Sequence, residues 1–165
     1  MRNPEEGSTR VCSLQFDGHM LMRGFWLYVW RITSGVEIVI YVGRTGDSSS
    51  NFASSPFVRI GRHLDLRKTA KSNSLARHLL EKRLDPAKCE YEFIAIGPLF
   101  PEQEKKNTEN HRQFRDRTGA LEFFVATELR ARGYYVLGQH SSRTSPDARD
   151  LALLDSFLDD HFPIR

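Results

Sequence analysis

The sequence predicts an α+β domain, and three observations carry that prediction. Two runs rich in β-branched and aromatic residues, Phe25 to Ile32 and Val36 to Val42, flank Ser34-Gly35 like the arms of a β-hairpin. Two polar-apolar stretches at helical spacing follow them, near residues 56–64 and 73–84. A further run, Lys88 to Ile96, alternates as a third strand and is closed by Gly97-Pro98. At 165 residues the chain has the length of one domain and enough material for one core.

Each element has a local reason. Residues 1 to about 20 are polar enough to read as a mobile arm, with a short strand at Val11 to Phe16. Both faces of the hairpin strands are largely apolar, so helices should cover part of each face. Arg44 to Ser55 is rich in serine and glycine and reads as a loop. Ser55-Pro56 then starts a helix, serine as N-cap and proline in the first turn, with Phe57, Ile60 and Leu64 inward. A second helix is expected from about Asn73 to Leu84 with Leu75, Leu79 and Leu80 inward. Pro101 to Arg117 reads as a charged, solvated helix, and Ala120 to Arg132 as a separate helix ended by Gly133. Tyr134 to Leu137 is a short extended segment, and Pro146 to Phe162 a last amphipathic helix. The expected organisation is an arm (1–20), a main domain (21–140) and a C-terminal helical extension (141–165) packed on it.

Composition narrows the chemistry. The net charge is only +3, but Arg59, Arg62, Arg67, Lys68, Lys71, Arg77, Lys82 and Arg83 lie together against only Asp65 and Glu81. A basic block on a nearly balanced chain suits a polyanion, unless it is merely a solvated helical face. Cys12 and Cys89 are too few for a disulfide framework and lack zinc-site spacing. The N-terminus is polar where a signal peptide is apolar, and Arg23 and Arg31 interrupt the longest apolar stretch. A cytoplasmic protein without a membrane span is expected.

If Ser34-Gly35 is a two-residue turn, Thr33 pairs with Val36 and Tyr28 stands opposite Tyr41 on one sheet face. Such a pair is either cross-strand packing or a pair of phenols presented to a ligand. Arg59 and His63 are four apart on one helix face, with Arg62 beside them. Guanidinium forks of this kind hold phosphate oxygens and offset charge gained in a transition state. Glu122 sits in an apolar helix turn, Leu121-Glu122-Phe123, and must meet a cation, either a metal ion or an arginine. Glu128 falls near the same apolar arc. Magnesium suits one carboxylate supplemented by waters and a phosphate oxygen.

Leu27-Tyr28, Tyr41-Val42-Gly43, Arg59-x-x-Arg62-His63 and Leu121-Glu122 occur in the order of the GIY-YIG nuclease motifs, and the chain resembles that family from about Phe25 to Leu137. The resemblance implies a small three-stranded antiparallel sheet flanked by helices, and a metal-dependent endonuclease that hydrolyses DNA with one magnesium or manganese ion. It implies Tyr28 near the attacking water as general base or orienter, and Tyr41 positioning water or phosphate. Arg59 would bind the scissile phosphate, His63 would relay a proton or touch phosphate, and Glu122 would hold the ion. Arg44, Arg62, Arg67, Lys68, Lys71 and Arg77 are the expected DNA contacts. The first motif reads Trp26-Leu27-Tyr28 without its glycine, and the interval from Tyr41 to Arg59 is long for the family. The family's late asparagine is replaced by Tyr135, with Gln139 as a substitute. That loss supports an alternative, a catalytically impaired nucleic-acid-binding domain; a protein-interaction module using the C-terminal helix is a further one. One active site makes one nick, so cutting both strands implies a homodimer or two visits; Leu151, Leu154, Phe157 and Leu158 are candidate dimer contacts, or else pack within the chain.

Overall fold

The hairpin forms, but its turn lies one residue later than expected. Strand β1 (Gly24–Ser34) pairs antiparallel with β2 (Glu37–Arg44), Ser34 facing Glu37, in the computed structural model, which describes residue 9 and residues 11–47, 52–102 and 108–165. Gly35 and Val36 are therefore the turn, and Gly35 has φ +60° while Val36 stays outside the positive-φ region. A type II′ turn demands positive φ at its first central position, where glycine alone is unstrained, and this sets the register. Tyr41 consequently faces Trp30, and Tyr28 faces Gly43, not Tyr41. Residues 28 and 30 share a face, so the two tyrosines still point to one side as diagonal neighbours.

The sheet has four strands and is mixed, where three antiparallel strands were expected. Strand β3 (Glu90–Pro101) pairs antiparallel with β1, and β4 (Tyr135–Val136) pairs parallel with Val39 and Ile40 of β2, giving the order β3-β1-β2-β4. Gly97-Pro98 does not close β3: it is an edge strand, where a proline's missing N–H is tolerated, and a register shift opposite Phe25–Leu27 absorbs the irregularity. Because β4 covers only two residues of β2, Tyr41 to Arg44 keep an edge without a strand partner.

Helices cover both faces, as the apolar strands require. On the face of Tyr28, Trp30, Ile32 and Val39 lie helices α1 (Pro56–His63) and α2 (Ser74–Glu81). Ser55 caps α1, its Oγ accepting from the Val58 N–H at 3.4 Å. Ile60 and Leu64 pack inward, but Phe57 is 37 % exposed and packs its ring at a tilt against Phe16, while the helix buries Arg59 and His63. In α2 Leu75 and Leu79 are buried; Leu80, expected inward, is 59 % exposed, since the short helix turns only one stripe to the sheet.

On the other face, Leu27, Val29, Ile40 and Val42 pack against α3 (Thr108–Ala131), through Leu121, Val125 and Leu129. The two helices expected on either side of Gly119 are thus one. Gly119 stays helical and lies beside the Arg44 guanidinium, whose Cζ is 3.4 Å from where a Cβ would stand. The expected single C-terminal helix is instead α4 (Ala148–Ala152) and α5 (Asp155–His161), interrupted at Leu153-Leu154. Leu154, Phe157 and Leu158 enter the core beside Phe162, and Leu151 packs against it, so these candidate dimer contacts are used within the chain. The 141–165 extension accordingly shares the core of the sheet. Val11 to Phe16 forms no strand; Val11 and Leu14 are exposed, and a 3-10 turn follows at Gly18–Leu21. Parts of the expected arm (1–8 and 10), loop (48–51) and charged helix (103–107) lie outside the described residues. Among the described residues no helix is long and apolar enough to cross a membrane.

Candidate active site

A cleft of about 400 Å³ opens where β2 runs out of partner strand. Tyr28 and Tyr41 reach it from the sheet, Arg59 and His63 from α1, Ser74 from α2 and Glu122 from α3. Arg44, Asp47, Lys71 and Ser72 complete its polar wall. Elements on opposite faces of the sheet meet here because Arg44 is the last residue of β2 and its side chain crosses to α3.

Tyr28 is fixed by contacts on every side. Its ring lies over Gly43, where a Cβ would fall 2.5 Å from Cε2, which gives the glycine of Tyr41-Val42-Gly43 a steric reason. Its hydroxyl lies 2.6 Å from His63 Nε2 and 3.2 Å from the Arg44 carbonyl oxygen. The other ring nitrogen, Nδ1, lies 3.0 Å from Ser74 Oγ, which is 2.9 Å from the Tyr41 hydroxyl. Four side chains therefore form one continuous hydrogen-bond chain between the two tyrosines.

Burial dominates the ionisation of this chain. It pushes the Tyr28 phenol well above the ordinary tyrosine range, against the opposing pull of the Arg59 charge. Tyr41 is raised for the same leading reason, offset by its bond to Ser74. His63 is lowered to about 4, first by burial and then by the neighbouring Arg59 charge. Near neutral pH both phenols and the imidazole are uncharged.

Arg59 is 8 % exposed, and its guanidinium donates to the Arg44 carbonyl at 3.1 Å and pairs with Asp47. Glu122, the buried-face carboxylate that needed a cation, has one in Arg44: Nε donates to Glu122 Oε2 at 2.8 Å. A second Arg44 donor is used on the Arg115 carbonyl at 2.9 Å. Burial raises the Glu122 carboxyl above its usual range and Arg44 opposes this. Glu128 is no part of the cleft wall.

The expected DNA contacts divide. Arg44 and Lys71 line the cleft, and Arg62 lines an adjoining cavity that shares Asp47, Arg59 and Ser72 with it. Arg67, Lys68 and Arg77 are exposed and line neither, and Arg67 is paired with Asp65. Arg44 is engaged with Glu122 rather than free for phosphate. Neither Tyr135 nor Gln139 lines the cleft; both border a cavity beside His78, and Tyr135 stacks under Lys82. Sequence reasoning missed Asp47 and Ser74. Asp47 lies in a loop without periodicity, and Ser74 looks like any serine at a helix start, so nothing local marked either.

As for a metal, the described residues include no group of three His, Cys, Asp or Glu side chains placed to share an ion. The carboxylates that line the cleft, Glu122 and Asp47, are the donor type a magnesium ion takes one or two of beside water and phosphate oxygens, and each is paired with an arginine here. No protein-family model, curated protein or solved structure matches this chain.

Proposed function

We propose that the protein is a metal-dependent endonuclease of GIY-YIG type that hydrolyses DNA phosphodiester bonds. The observation that carries the reading is convergence: Tyr28, Tyr41, Arg59 with His63, and Glu122, which come from four separate stretches of sequence, line one cleft. In this reading Arg59 binds the scissile phosphate and offsets the charge that its oxygens gain in the transition state. Asp47 holds the guanidinium at the cleft wall until the phosphate arrives. Tyr28 orients the attacking water and takes its proton. A free phenolate is disfavoured at this buried position, so Tyr28 passes its own proton to His63 Nε2 as it accepts the water's, and His63 releases its Nδ1 proton to the hydroxyl beside it and stays neutral. Glu122 would hold the ion, which when bound supplies positive charge to the phosphate and leaving oxygen. Lys71 and Arg62 draw the flanking backbone to the cleft.

A second reading, a nucleic-acid-binding domain without turnover, is favoured by one observation: Glu122 and Asp47 are each engaged by an arginine. Supercoiled plasmid separates the two. Nicking that needs magnesium or manganese and disappears in Glu122→Ala and Arg59→Ala, with DNA binding kept, is the expected result. Tight, salt-dependent binding without nicking selects the second reading. Wild-type nicking rates in either variant would remove the proposed assignment.

A further inference from the structure

Ser74 matched no motif, yet it sits between the cleft's two tyrosines. It opens α2, where its hydroxyl is directed into the cleft rather than used as a cap: Asn73 holds the N-cap position, without a side-chain cap bond. The Ser74 Oγ is 3.0 Å from His63 Nδ1 and 2.9 Å from Tyr41 Oη, while His63 Nε2 is 2.6 Å from Tyr28 Oη. A hydroxyl donates one hydrogen and accepts others, and a neutral imidazole has one donor and one acceptor nitrogen. The chain therefore has two directions, and the His63 tautomer selects between them.

We propose that Ser74 is a positioning residue that joins Tyr28, His63, Ser74 and Tyr41 into one proton relay, running from the attacking water at Tyr28 to the leaving oxygen at Tyr41. The proposal rests on the phosphodiester-hydrolase reading and deepens it. Before the step, the Tyr28 hydroxyl donates to Nε2, Nδ1–H donates to Ser74, Ser74 donates to Tyr41, and Tyr41 points its hydrogen into the cleft. As water oxygen bonds phosphorus, its proton moves to Tyr28 and the Tyr28 proton moves to Nε2. The Nδ1 proton moves to Ser74, the Ser74 proton to Tyr41, and the Tyr41 proton to the departing alkoxide oxygen as its bond to phosphorus breaks. One proton has left water and one has reached the leaving group. All four side chains end neutral, with the His63 tautomer reversed. The reverse shift, with solvent protons, resets it.

The surroundings favour this concerted route over a charged intermediate. A phenolate at Tyr28 and an imidazolium at His63 are each opposed by burial, and the cations and anions facing the ring, Arg59 and Asp47, are already paired with each other. Tyr28 has a second acceptor in the Arg44 carbonyl at 3.2 Å, which receives its hydrogen when the chain runs the other way.

The test compares wild type, Ser74→Ala and Ser74→Thr with supercoiled plasmid and magnesium, together with 15N NMR of the His63 ring. Ser74→Ala should lower kcat about 100-fold, the lower end of general acid–base contributions, with KM unchanged. Ser74→Thr, which keeps the hydroxyl, should recover most of the rate. In mixed light and heavy water the wild-type rate should curve with deuterium fraction, as several protons move together, and the residual Ser74→Ala rate should not. The His63 ring in Ser74→Ala should settle as the Nε2–H tautomer, because Nδ1–H has lost its acceptor. A Ser74→Ala enzyme that nicks at the wild-type rate, or whose His63 nitrogen shifts match wild type, overturns the relay while leaving the hydrolase reading intact. A wild type that never nicks removes the hydrolase reading and the relay's task with it.

Discussion

Tyr28 stands directly opposite Gly43 in the hairpin, and its ring occupies the space that a side chain at 43 would need. The Tyr28 hydroxyl owes its 2.6 Å approach to His63 to that seat. We predict that Gly43→Ala costs about 1–3 kcal/mol, the usual range for overpacking, because neither the buried ring nor the strand can give way cheaply. Urea unfolding measures this. The displaced ring should also lower any nicking rate far more than DNA binding. A variant as stable as wild type would show that the ring is free to move.

The Arg44–Glu122 pair should matter to stability as well as to any ion. Removing one partner leaves the other half-buried and unpaired, so Arg44→Ala should destabilise the protein. The pair keeps some contact with solvent, which holds the expected loss to about 1–2 kcal/mol, below the figure for a fully buried pair. Glu122→Gln, which still accepts one bond from Arg44, should lose less. A double variant, Arg44→Ala with Glu122→Ala, that is no better than the sum of the singles would argue that the two side chains do not interact.

His63 sets a pH dependence of folding. Its folded pKa, about 4, lies below the ordinary value of 6.5, so between these values the unfolded chain binds more protons. Stability contributed by this group is complete above about pH 6.5 and falls as the pH drops toward 4, by up to about 3 kcal/mol at 1.36 kcal/mol per unit. The raised Glu122 carboxyl contributes with the opposite slope, so the difference between wild type and His63→Gln isolates the histidine. Denaturant midpoints at pH 4.5, 5.5 and 7 provide the measurement. Parallel pH profiles for the two proteins would contradict the burial of a neutral imidazole.

The basic residues should separate in DNA binding. Lys71→Ala and Arg62→Ala, at the cleft and its adjoining cavity, should weaken binding uniformly across sequences, each lowering the slope of log K against log salt by about 1. Arg67→Ala and Arg77→Ala should change little. Equal effects from all four would mean that the duplex lies over the outer surface of α1, α2 and the segment between them instead of the cleft.

Much of the architecture could be read from local pattern. The Ser55-Pro56 helix start, the Leu75 and Leu79 stripe and the hairpin all follow from short-range chemistry, and they are found in the fold. The turn lies one residue beyond the expected place: Ser34-Gly35 and Gly35-Val36 both contain the glycine, and only the strand pairing, Ser34 opposite Glu37, shows which position it fills. Strand β4 was legible as an extended segment but not as a parallel partner of β2, since pairing across a 24-residue helix leaves no local trace. The stretch from Pro101 to Arg132 reads as two helices, and α3 runs through residues 118–119 as one.

The hairpin, the starts of α1 and α2 and the inventory of reactive side chains follow from the sequence alone, because helix caps, turn glycines and apolar periodicity act over a few residues. Only the tertiary structure decided what those side chains meet. Glu122 needed a cation, but that this is Arg44 depends on the end of β2 passing beside α3. The bond from His63 to Ser74, eleven residues on, depends on how α1 and α2 pack against the same sheet face. Such pairings are set by how layers stack, and burial then fixes the charge states that separate residues in water would not have.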